Sequence, residues 1–152
     1  MTLSFGLTAP NLLEELKDYV ERFRDNDLDE GLARDCAWRA WHLCDYVFEE
    51  LGPNSQFPCP KKLKNHVKCV CPELAYIQDI WNATKHVEIT RYTPQVKAAR
   101  YHGGAFSCDF SHDFDISHLR VVLADGQWVF FADVIDRAVE FWSAFFKDHG
   151  IE

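Results

Sequence analysis

The two residues whose types and spacing most directly indicate chemistry are Asn82 and His86. They are four residues apart in a predicted helix and therefore lie on one face, with Asp79 one turn earlier. An imidazole can accept or donate a proton near neutral pH, and a side-chain amide can position a ligand by hydrogen bonds. The alternative is architectural, with both side chains forming hydrogen bonds that shape the end of the helix.

A second pair, His42 and Asp45, lies three residues apart in an earlier predicted helix. A carboxylate at this spacing can orient the imidazole for acid–base chemistry. If the two helices are antiparallel neighbours, His42 faces His86 across the bundle. The alternative is a half-buried histidine on a packed helix face. The candidate catalytic residues are therefore His86, Asn82, His42 and Asp45.

The segment from Trp81 to His86 reads Trp-Asn-Ala-Thr-Lys-His. It resembles the Arg-Asn-x-x-x-His motif found late in a long helix of the HEPN superfamily, a group of small helical bundles. The resemblance covers Asn82, His86 and the surrounding helical layout, and Trp81 occupies the position of the arginine. Many members of the superfamily are metal-independent ribonucleases of toxin and phage-defence systems, and others are inactive binding modules.

The resemblance also implies roles for the matched residues. In an active member, His86 would be the general base toward a ribose 2′-hydroxyl and Asn82 would position the phosphate. The family arginine stabilises the charge that develops on the phosphate, and Trp81 carries no charge to do so. The resemblance therefore implies a degenerate site, and it also implies a homodimer with the two motifs facing each other.

Six cysteines are present, and Cys59, Cys69 and Cys71 lie near His66 in one short segment. Four soft ligands can indicate a zinc site, but Cys-x-Cys spacing does not match the Cys-x2–4-Cys pairs of common zinc-binding motifs. We therefore expect no bound metal, and no other motif indicates a cofactor. In a reducing compartment the cysteines are expected to be free thiols or metal ligands rather than disulfides.

Length and composition favour one domain spanning residues 1–152, with 47% hydrophobic residues and a net charge of −8. The negative charge disfavours RNA as a partner, although Lys61, Lys62, Lys64 and Lys68 form a local basic cluster. No apolar run approaches the roughly 18 residues of a membrane span, and the N-terminus lacks the features of a signal peptide. A cytoplasmic location without membrane contact is the resulting expectation.

Hydrophobic periodicity predicts a mainly α fold, an antiparallel up-down helical bundle of about four helices with a β-hairpin before the last helix. The helices are predicted over residues 10–24, from 29 or 30 to 51, and over 72–87, with a short basic helix over 61–68 and a last helix capped by Asp133. Strands over residues 116–123 and 127–131 flank Asp125-Gly126, which favours a type I′ turn. Residues 89–93 are predicted to be extended, and 93–115 have no clear structural pattern.

Two functional hypotheses follow. The first is a HEPN-like protein of a microbial defence or toxin–antitoxin type system, as a degenerate metal-independent ribonuclease. The second is a non-catalytic interaction protein whose acidic surface binds a basic partner or sequesters a toxin. A ribonuclease requires positive charge around His86, from Lys85, Arg91, Arg100 or a partner subunit, whereas an interaction protein would show acids or exposed aromatic residues there.

Overall fold

The computed structural model describes residues 6–53, 55–85, 94–102 and 118–152. These residues form five helices and a three-stranded antiparallel sheet that precedes the last helix. The predicted mainly α class is therefore confirmed. In chain order the elements are α1 (Ala9–Asp25), α2 (Glu30–Leu51), α3 (Pro60–Val70), α4 (Pro72–Lys85), β1 (Val96–His102), β2 (His118–Leu123), β3 (Trp128–Phe130) and α5 (Phe131–His149). His86 and the segments 86–93 and 103–117 lie outside the described residues.

The helix bounds follow from local chemistry. The side chain of Thr8 accepts a hydrogen bond from the backbone N–H of Asn11 and so caps α1. Asp29 caps α2 in the same way through the N–H of Leu32. At the other end of α2, Gly52 has φ +76, which a residue with a Cβ rarely adopts.

The core is built from the apolar faces of all five helices and the inner face of the sheet. The face of α1 repeats at three- and four-residue steps, through Leu12, Leu16, Val20 and Phe23, all of which are buried. Helix α2 packs against α1 on one side and α4 on another, which fits its wide apolar surface. No helix in the described ranges is both long and apolar enough to cross a bilayer.

The hairpin between β2 and β3 differs from the predicted type I′ turn. A type I′ turn requires positive φ at both central residues, and the only positive φ here is that of Gly126, at +89. Leu123 N–H donates to the carbonyl of Gln127, so the loop contains three residues, Ala124 to Gly126. This is the three-residue pattern in which a type I turn is followed by a glycine that forms a bulge.

The start of α5 also differs from the prediction. The helix begins at Phe131, directly after β3, and Asp133 lies in its first turn rather than at the cap. Phe131 is fully buried, and its ring lies edge-on to Phe23 of α1 at a centroid distance of 5.2 Å. Burial of this aromatic side chain thus accounts for a helix start that a capping rule does not predict.

Candidate functional site

The described part of the chain places His42, Asp45 and Lys64 in one hydrogen-bonded group, which we call the His42 cluster. Nδ1 of His42 lies 3.0 Å from Oδ2 of Asp45, and Nζ of Lys64 lies 2.8 Å from Oδ1 of the same carboxylate. The first two residues are one helical turn apart on α2, as their spacing predicted. Lys64 comes from α3, so its contribution depends on how α3 packs against α2.

The bonding pattern determines which nitrogen of His42 is available. An ionised carboxylate only accepts hydrogen bonds, so Nδ1 of His42 is the donor, and in the neutral imidazole Nε2 then carries the lone pair. Burial alone would raise the pKa of Asp45, but its hydrogen bonds to His42 and Lys64 and the charge of Lys64 outweigh burial and lower this pKa. The His42 side chain is 29% exposed. The cluster therefore holds an oriented imidazole that solvent can reach.

Three tryptophans surround the cluster. The ring centroids of Trp38 and Trp81 lie 5.6 Å and 5.8 Å from that of His42. Trp81, the residue that the sequence resemblance aligned with an arginine, directly contacts His42. The ammonium groups of Lys64 and Lys68 each lie 5.9 Å from the ring centroid of the buried Trp41, so α3 brings positive charge to the side of the cluster formed by Asp45 and Trp41.

Trp38 and Trp81 also form one end of an open groove of about 510 Å³ between α2 and α4. Two guanidinium groups line it, and both have acidic partners. Arg39 lies 3.2 Å from Glu15 on α1, and Arg34 lies 3.8 Å from Glu30 one turn earlier on α2. The groove thus combines aromatic faces with partly neutralised positive charge beside the His42 cluster.

Of the other two predicted site residues, the structure describes Asn82 but not His86. Asn82 is half-buried on α4 next to Trp81, and His86 lies outside the described residues. The side chains of Lys85, Arg91 and Arg100, which were expected to supply positive charge around His86, also lie outside them. The predicted juxtaposition of His42 and His86 therefore stays a prediction.

Asp79, one turn before Asn82, is only 3% exposed. Its Oδ2 accepts hydrogen bonds from the backbone N–H groups of Gln95 at 2.6 Å and Val96 at 2.9 Å. These are the first residues of the segment that becomes β1. Asp79 therefore joins α4 to the sheet, and this structural task accounts for a carboxylate so close to the motif.

The cysteine-rich segment shows no metal-binding arrangement in the described parts of the chain, where no three His, Cys, Asp or Glu side chains converge. Cys71 is buried beside Glu73, and burial raises the pKa of its thiol to about 11. Burial likewise raises the pKa of Cys36 to about 12 and that of Cys44 further. Cys69 is exposed and Cys59 is half-buried.

We expect alkylation by iodoacetamide near neutral pH to modify Cys69 before the other described cysteines, because the reactive species is an accessible thiolate. Cys36 and Cys44 should react only after unfolding. Peptide mass spectrometry measures each site separately, and the rate at Cys69 should be the same with and without added zinc. Labelling of Cys36 at the rate of Cys69, or protection of Cys69 by zinc, would contradict this expectation.

Sequence reasoning missed Lys64 and the two tryptophans beside His42 as parts of the site. The lysine cluster was visible as a basic segment, but nothing local connects Lys64 to Asp45.

No protein-family model, no curated protein and no solved structure matches the chain.

Proposed function

We propose that the chain is a HEPN-like protein of a microbial defence or toxin–antitoxin type system, with a degenerate metal-independent ribonuclease site at the His42 cluster. One observation carries the proposal. A carboxylate binds Nδ1 of His42 and the ammonium of Lys64, and Nε2 of His42 has no hydrogen-bond partner among the described residues. This is the arrangement of an oriented general base with positive charge nearby.

In the proposed reaction, Nε2 of His42 takes the proton of a ribose 2′-hydroxyl. The 2′-oxygen then attacks the adjacent phosphorus, the bond from phosphorus to the 5′-oxygen breaks, and the 5′-oxygen takes a proton from water. The products are a 2′,3′-cyclic phosphate and a 5′-hydroxyl end. Asp45 stabilises the imidazolium that forms, because its carboxylate stays hydrogen-bonded to Nδ1.

Trp38 and Trp81 suit the same ligand. Aromatic rings beside a positively charged surface bind single-stranded nucleic acid, because each base can stack on a ring. The site lacks one group that the family motif supplies, since Trp81 holds the position of the arginine. Lys64 is bonded to Asp45, and Lys68 is bonded to Gln78 at 3.1 Å, so neither lysine is placed to replace that arginine.

The test is to restore the arginine. We expect Trp81→Arg to raise cleavage of single-stranded RNA at least tenfold over the wild-type chain, because a guanidinium beside His42 can stabilise the charge of the transition state. In this background His42→Ala should reduce cleavage about a hundredfold, the lower range for loss of a general base. The assay uses labelled mixed-sequence RNA in the presence of a chelator, with product ends identified by mass spectrometry.

The matched control is His66→Ala in the same Trp81→Arg background. His66 is exposed on α3 and contacts Phe57 rather than the His42 cluster, so this variant should cleave as well as its parent. The proposal is wrong if Trp81→Arg produces no cleavage although its melting temperature is unchanged. Equal losses in the His42 and His66 variants would also reject it.

A second candidate function is a non-catalytic interaction protein that binds a basic protein partner. The observation that favours it is a groove elsewhere on the chain that combines four carboxylates with Trp128, a tryptophan that is 43% exposed. Acids and exposed aromatic residues are the features expected of such a protein.

A further inference from the structure

The groove beside Trp128 has a volume of about 650 Å³ and is lined by residues of α4, β3 and α5. We call it the β3 groove. None of its lining residues belongs to the His42 cluster. Its carboxylates are Glu73, Asp133, Asp136 and Glu140, and Arg137 is the one basic residue among the described residues that line it.

One wall of the β3 groove is an edge strand. The sheet order is β1-β2-β3, so within the residues that the structure describes β3 pairs with β2 on one side only. Leu123 N–H donates to Gln127 carbonyl, which makes these two residues a bonded pair. Bonded and non-bonded pairs alternate along an antiparallel ladder, so Trp128, opposite Val122, has its backbone N–H and C=O directed away from β2. An extended peptide can pair with groups of this kind.

Trp128 provides the aromatic surface of the groove. Its ring lies edge-on to Phe130 at a centroid distance of 5.0 Å. The guanidinium of Arg120 sits 3.6 Å from the Trp128 centroid, so one face of this ring already holds a cation. Trp128 is still 43% exposed, and this exposed part can contact a ligand side chain.

The carboxylates of the groove favour a positively charged ligand. Arg137 lies 3.7 Å from Glu73 and 3.6 Å from Glu140, distances that give weak screened ion pairs. Asp136 is bonded to Arg24 of α1. Asp133 has no ion pair in the described parts of the chain. Four carboxylates outnumber Arg137 of the lining and the adjacent Arg24 and Arg120, so the groove keeps a net negative charge, as does the chain as a whole at −8.

We propose that the β3 groove binds an extended segment of a partner protein that is rich in lysine and arginine, paired alongside β3. This proposal rests on the second candidate function and is independent of the His42 cluster. The negative lining repels nucleic acid and anionic lipid. A symmetric contact with a second copy of the chain would bring the same carboxylates together, which is unfavourable.

The probe is a short fluorescein-labelled peptide that alternates lysine or arginine with valine, titrated by fluorescence anisotropy. Asp133→Asn with Glu140→Gln removes two exposed carboxylates of the groove and should weaken binding about tenfold. The matched control is Glu14→Gln with Glu21→Gln, two exposed carboxylates of α1, which should change affinity less than twofold. A probe with alternate backbone N–H groups methylated should also bind at least tenfold more weakly, because it cannot pair with β3.

Trp128→Thr provides a second, charge-neutral variant with strand propensity, and it should weaken binding of the same probe severalfold.

Equal weakening by the groove and α1 variants would show non-specific attraction and overturn the proposal. So would equal binding of a glutamate–valine peptide, or no binding of the basic probe at all. A dimer in sedimentation experiments that only the groove variants dissociate would assign the groove to a second copy instead. None of these substitutions alters the His42 cluster, so RNA cleavage by Trp81→Arg tests the ribonuclease proposal separately.

Discussion

Trp142→Ala should lower the free energy of unfolding by about 4 kcal/mol, within the range measured for removing a large aromatic side chain from a core. Trp142 is fully buried on α5, and it is among the largest fully buried side chains of the chain's described residues. Its ring packs edge-on against Phe145 at a centroid distance of 5.6 Å. The loss combines the transfer free energy of the indole with that of the cavity it leaves.

A hydrogen bond adds to this loss. The indole N–H of Trp142 donates to the backbone carbonyl of Ala40 at 2.9 Å, and a helix carbonyl on α2 is thereby linked to α5. Trp142→Phe keeps an aromatic ring but removes the donor, so we expect it to cost roughly 2 kcal/mol, about half the alanine effect. Urea unfolding monitored by circular dichroism measures both values. A loss below about 1 kcal/mol for Trp142→Ala would contradict the packing described above.

The second large effect is expected from Asp79→Ala, at about 3 kcal/mol. The substitution leaves the partly buried N–H groups of Gln95 and Val96 without their acceptor. A fully buried unsatisfied group costs about 1–3 kcal/mol, so two partly buried groups together give a loss of about this size. Asp79→Asn keeps one acceptor oxygen and should cost less. Thr84→Ala is the matched control on α4, because Thr84 is exposed and its hydroxyl bonds only within the helix; its effect should stay below about 0.5 kcal/mol.

Amide hydrogen exchange distinguishes this role from general destabilisation. In Asp79→Ala the amides of Gln95 and Val96 should lose more protection than those in the middle of α1. Uniform loss of protection across the chain would show that Asp79 supports the core in general and does not specifically hold the start of β1.

The helices were predictable because their apolar residues recur at steps that only a helix places on one face. The bounds of α2 match the prediction, since Asp29 and Gly52 give clear start and stop signals. Strand β1 was not predictable in this way. Its sequence, Val-Lys-Ala-Ala-Arg-Tyr-His, lacks apolar alternation, and it is specified by pairing with β2, whose residues follow much later in the chain.

In the candidate site too, contacts within one helix were predictable from the sequence, whereas contacts between helices were not. The hydrogen bond between His42 and Asp45 follows from helical spacing and was predicted from it. The contacts of the cluster with Lys64 and Trp81 join three helices, so they depend on packing that no local pattern encodes. For Asp79 the local pattern was misleading. Its position one turn before Asn82 suggested a shared site, but its carboxylate accepts a hydrogen bond from the backbone just ahead of β1.

Strand β3 continues directly into α5, and this affects the free energy that a ligand binding along β3 would lose. A hinge requires a few residues that absorb a change in backbone dihedral angles, and no loop residue separates Phe130 from Phe131. Since α5 is anchored by its buried aromatic side chains, β3 is held in place by a whole helix. The strand edge is therefore preorganised, and a ligand that reaches it loses little free energy to ordering the protein.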